Sequence, residues 1–153
     1  MKKIYIDATT IKEPTSVFIK EKTINWSGTT TFSMPIENKN QEYDAIAKKH
    51  DIHFIFADKI PQINFYTVPQ IEIFAQDSIG GFFGTIGQRF DEDIPICYIT
   101  PNRNCFMIAN DFYDFLSHLK DWKTIAKSYK EIFIYDTLKD AKKEHEILAL
   151  SDL

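Results

Sequence analysis

Apolar residues along this chain recur at two spacings, and the change from one to the other marks out the elements. From residue 71 to residue 109 they come in short runs separated by turn formers. Ile71-Glu72-Ile73-Phe74-Ala75 predicts a strand, Asp77-Ser78-Ile79-Gly80-Gly81 a turn, and Phe82-Phe83-Gly84-Thr85-Ile86 the returning strand. Aromatic and β-branched residues in so short a run favour strand over helix. Gly80 and Gly81 reach positive φ without steric cost, which a tight antiparallel connection requires. Gly84, inside the second strand, predicts a bulge or a close backbone approach. A second hairpin follows, from Pro95-Ile96-Cys97-Tyr98-Ile99-Thr100 through the turn Pro101-Asn102-Arg103-Asn104 to Cys105-Phe106-Met107-Ile108-Ala109.

The spacing then becomes helical. Phe112, Phe115, Leu116, Leu119 and Trp122 stand at i, i+3, i+4, i+7 and i+10, an apolar stripe on one helix capped by Asn110 or Asp111. Upstream the pattern is harder to read. Residues 3–7 predict a short strand, 16–24 fit helix or strand, and Trp26 to Phe32 predict a turn leading into an extended segment. Asn38 or Asn40 can cap a helix containing Tyr43, Ile46 and Ala47 that ends near His50-Asp51. Residues 52–56 predict a strand, and 62–68, bracketed by Pro61 and Pro69, an extended segment or edge strand. After a strand at 131–135, Thr137 with Asp140 three residues on announces a final helix. The sum is an α+β fold in a single domain over residues 1–153, with an antiparallel sheet of about four to six strands and helices packed mainly on one side.

Composition sharpens this picture in three places. Thirteen Phe and seven Tyr among 153 residues predict a core built on aromatic packing. A net charge of −4, with lysines spread among acids, argues against nucleic acid as the main partner and suits a basic protein. No apolar run approaches the roughly 20 residues of a membrane-spanning helix, and Met1-Lys2-Lys3 precedes nothing like an export signal. The expected location is the cytoplasm, where Cys97 and Cys105 would be buried free thiols.

Candidate chemistry is sparse. His50, His53, His118 and His145 show no metal-ligand spacing, and no cofactor or metal is expected. The glycines of the 79–84 stretch join strand to strand, whereas a phosphate cradle needs a helix N-terminus. Asp91, Glu92 and Asp93 form the densest acidic run, which reads as a solvated loop, a carboxylate pair, or a contact for a basic partner. Asp77 is expected to accept from backbone amides of its turn.

Taken in order, Phe74-Ala75-Gln76-Asp77-Ser78-Ile79-Gly80-Gly81-Phe82-Phe83-Gly84, then Pro95-Ile96-Cys97-Tyr98-Ile99, then Ile108-Ala109-Asn110-Asp111-Phe112-Tyr113-Asp114-Phe115-Leu116, the chain resembles the SUKH superfamily of Smi/Knr-like proteins. The resemblance covers about a third of the chain, and the first 60 residues carry no clear equivalent. It implies helices on an antiparallel sheet and, for bacterial members, a non-catalytic immunity protein that occludes a cognate nuclease or deaminase toxin. Contact is then expected on a concave sheet face or at the loops around Asp77, Asp91, Glu92 and Asp93. Two other readings stay open: a small-ligand-binding domain or enzyme with a pocket on the sheet face, and an intracellular scaffold or regulator.

Overall fold

The computed structural model describes residues 3–10, 25–87 and 94–152, and its fold is α+β. In chain order come β1 (Ile4–Asp7), β2 (Asn25–Ser27), β3 (Thr29–Thr31), α1 (Gln41–His50), β4 (His53–Phe54) and β5 (Tyr66–Val68). The meander β6 (Ile71–Gln76), β7 (Phe82–Ile86), β8 (Ile96–Ile99) and β9 (Cys105–Ala109) follows, then α2 (Phe112–Ser117) and α3 (Trp122–Ile125). β10 (Lys127–Ser128), β11 (Phe133–Tyr135), α4 (Leu138–Lys142) and β12 (Glu146–Leu148) complete the chain.

The main sheet has seven strands in the order β10-β9-β8-β7-β6-β3, with β4 sharing β3's edge of β6. It is mixed rather than purely antiparallel. β3 runs parallel to β6, pairing Thr29 with Ile71, while β4 runs antiparallel along the rest of that edge, pairing His53 with Gln76. A smaller sheet, β12-β1-β2, is wholly parallel, and β5 pairs with β11. Gly28, at φ +105°, is where the chain leaves one sheet for the other. A Cβ there would come within 2.6 Å of Thr9 Cγ2.

Two bulges shape the meander. The β6–β7 register skips Phe74, and the β8–β9 register skips Ile108. Each bulge puts two consecutive side chains on the same face, Phe74 with Ala75 and Ile108 with Ala109. Gly84 is thus not itself the bulged residue but sits across from one. A Cβ at Gly84 would come within 2.6 Å of Ile71 Cγ2 and 3.0 Å of the Glu72 carbonyl, so its role is close approach.

Both faces of the sheet are covered. One carries Phe74, Phe83, Tyr98 and Ile108 against Phe115 and Trp122, with Ile46 of α1 and Phe112 packed at the margin. The other carries Ile71, Ile73, Phe82, Cys97 and Cys105 against Phe65 and Ile132, which lie outside any helix. Helices therefore pack on one side, and extended segments on the other. Cys97 and Cys105 are buried free thiols, and the hydrogen bond with Cys105, followed by burial, pushes the Cys97 thiol up.

Several elements differ from their sequence patterns. The 112–122 stripe is two helices, because the chain turns at His118, whose amide donates to the Phe115 carbonyl at 3.1 Å. His118 also lies 3.5 Å from Asp114 and 3.1 Å from Asp121, bridging the break. The 52–56 strand shortens to β4, with Phe56 bridging Met34. The final helix ends at Lys142 and the chain continues into β12. Residues 16–24 lie outside the described residues.

Candidate functional site

The 77–81 turn is built by one side chain. Asp77 Oδ1 accepts from the Ile79 amide at 3.0 Å and the Gly81 amide at 2.7 Å, closing the β6–β7 connection. Gly80 supplies the positive φ, +97°, that the turn needs. Gly81 supplies room: a Cβ there would overlap the Tyr98 hydroxyl and come within 2.7 Å of Asp77 Oδ2. Tyr98, opposite Phe83 on β8, reaches through that space and donates its hydroxyl to Asp77 Oδ2. Burial, and then the Asp77 carboxylate, push the Tyr98 phenol well above its ordinary value, so it stays a donor.

A second carboxylate meets the turn from α1. Asn40 starts that helix by accepting from the Glu42 and Tyr43 amides, and Asp51 ends it in the left-handed region, at φ 56° and ψ 41°. From there Asp51 Oδ2 accepts from the Ser78 amide at 3.1 Å and the Ser78 hydroxyl at 2.7 Å, and Oδ1 lies 2.9 Å from His53 Nε2. The Ser78 hydroxyl first, with its amide and His53, holds the Asp51 carboxyl below its ordinary value. Asp77, half-buried, makes no ion pair among the described residues.

Two grooves flank this turn. One, of about 340 Å³, is lined by Asp51, Asp77, Tyr98, Phe106, Trp122 and Lys123. Its floor is aromatic, with the Tyr98 and Trp122 ring centroids 4.9 Å apart. The other, of about 610 Å³, runs past Lys39, His53, Phe56, Asp58 and Ser78, with Lys39 and Asp58 paired at 2.5 Å. Exposed Ile79 stands at the rim of the first groove.

The sequence pattern places Asp77 and its turn correctly but gives no role to Asp51, Tyr98 or Trp122. Asp51 reads there as a helix terminator and Trp122 as core. The one available signal is the alternation of β8, which sets Tyr98 on the helix-covered face. Asp91, Glu92 and Asp93 lie outside the described residues. The grooves open at the end of the sheet, since its faces over β6–β8 are covered. Among the described residues, no three of His, Cys, Asp and Glu gather as a metal site, and no helix is long and apolar enough to cross a membrane. Compared with known proteins, the chain matches no family model, no curated protein and no solved structure.

Proposed function

We propose that this protein is a bacterial immunity protein of the SUKH type, acting in the cytoplasm. It binds a cognate nuclease or deaminase toxin and neutralises it by occlusion, with no catalysis of its own. The resemblance over residues 71–119 supports this reading, because the residues that carry it form one meander with its helices folded across it. The observation that favours a basic partner is Asp77, a half-buried carboxylate held in place and left without an ion pair among the described residues. With a net charge of −4, such a carboxylate attracts a basic surface and speeds encounter.

The deciding experiment co-expresses this chain with the toxin domain encoded beside its gene. The expected outcome is rescue of growth and a stoichiometric complex on size exclusion. Cells that die equally fast with and without this protein would remove the proposal. Reversing Asp91, Glu92 and Asp93 to Lys then reads whether that loop joins the interface, through association rates at low salt.

A further inference from the structure

The smaller groove combines three features that each favour a cation. Asp51 and Asp77 place two carboxylates on its wall. Each carboxylate already accepts three hydrogen bonds, Asp51 from Ser78 twice and His53, and Asp77 from Ile79, Gly81 and Tyr98. A carboxylate has about four acceptor directions, so each retains one. The ten-residue helix α1 ends at His50 on the same wall, so its negative end lies beside the groove, with Lys48, Lys49 and His50 in that last turn. Tyr98 and Trp122, both largely buried, and half-buried Phe106 line the rest of it, and aromatic rings attract cations. Lys123, with Nζ 5.6 Å from the Trp122 ring centroid, is the chain's own lysine at this rim.

We infer that this groove receives the guanidinium of an arginine side chain from the protein partner. Arginine fits better than lysine because its planar fork both stacks on rings and pairs with a carboxylate. A volume of about 340 Å³ is at the low end for ligand sites and suits one long side chain. The inference rests on the reading that this chain binds a protein, and it names the anchor that the partner inserts.

A probe that needs no partner tests it. The chain has two tryptophans, Trp26 and Trp122, so the indole N–H signal of Trp26 is an internal control in a ¹⁵N-labelled sample. Titration with N-acetyl-arginine amide is expected to move the Trp122 indole saturably and leave Trp26 in place. The uncharged citrulline amide should produce no saturable shift, and N-acetyl-lysine amide a weaker one. Lys123→Glu, at an exposed position, should tighten arginine-amide binding roughly fivefold, and Asp51→Asn, which keeps a residue tolerant of left-handed backbone, should weaken it about threefold. Free arginine should bind no better than the capped amide, since its own carboxylate enters beside two others.

Absence of a saturable shift, equal shifts with citrulline amide, or an affinity unmoved by Lys123→Glu would each overturn the assignment. Much tighter binding of free arginine would make the groove a metabolite site and overturn it too. A failed titration with the toxin still captured removes the groove and leaves the protein-binding reading intact. A successful titration with no toxin captured keeps guanidinium recognition and removes the immunity reading.

Discussion

Gly81 and Gly84 sit three residues apart in one hairpin, yet an added methyl group meets different obstacles at each. At Gly81 it meets two side chains, overlapping the Tyr98 hydroxyl and coming within 2.7 Å of Asp77 Oδ2, so the two must part and lose their contact. At Gly84 it meets the Glu72 carbonyl and two packed isoleucines, Ile71 and Ile73, none of which can leave. Gly84→Ala is therefore expected to cost about 3 kcal/mol, the upper end for overpacking, and Gly81→Ala about 1–2 kcal/mol. Urea unfolding midpoints at unchanged slope measure both. Gly81→Ala should also release the Trp122 side of the groove, where Tyr98 packs on the indole. Away from the turn, Tyr66 donates to the buried Asp7 carboxylate at 2.9 Å and lies 2.9 Å from the Ser27 hydroxyl. Among the described residues, Tyr66→Phe leaves Asp7 with only its Thr9 bonds, and it should cost about 1–3 kcal/mol, read from the same unfolding midpoints.

At the level of elements, the 112–122 stripe separates what spacing alone treats as equal. Phe115 is fully buried and Trp122 is 5% exposed, but Leu116, in phase with both, is 39% exposed. The break at His118 accounts for the difference, since the second half of the stripe turns back onto the sheet as α3. Phe115→Ala should cost about 3–5 kcal/mol, whereas Leu116→Lys should stay within roughly 0.5 kcal/mol, as thermal unfolding of the two variants will show. The cap of α2 is reciprocal: Asp111 accepts from the Asp114 amide at 2.7 Å, and Asp114 accepts from the Asn110 amide at 2.9 Å. The sequence makes this cap legible because Asp at N-cap and N3 is a local signal. It does not show the break, where His118 comes against Asp114 and Asp121 only once the chain has turned.

Across the whole molecule, four tyrosines bear on stability together. Burial is the first cause for Tyr66, Tyr98, Tyr129 and Tyr135, and nearby carboxylates add to it. Tyr129 and Tyr135 are pushed up to about 12 from 10.0, and the other two higher still. A raised value means that the folded chain holds these protons more tightly than the unfolded chain. Stability is then fully present below pH 10 and falls as the pH rises through and beyond 12. Unfolding midpoints collected from pH 8 upward should stay level to about pH 10 and then decline, and Tyr66→Phe should flatten that decline.

Residue pattern alone determined the meander β6–β9, its two turns, the cap of α4 and the α+β class, and narrowed the caps of α1 and α2 to two candidates each, because each is written in contacts a few residues apart. Asn40, Asp111 and Thr137 act on amides two or three positions away. Only the tertiary structure decided how distant pieces pair. The parallel pairing of β1 with β12 joins residues more than a hundred positions apart, as Tyr5 with Ile147, and no local spacing encodes it. The bulges at Phe74 and Ile108 likewise need a partner strand to exist at all. The same holds for the candidate site. Asp77 was legible because it closes its own turn, while Asp51, Tyr98 and Trp122 come to its side from α1, β8 and α3, through packing that only the folded chain provides.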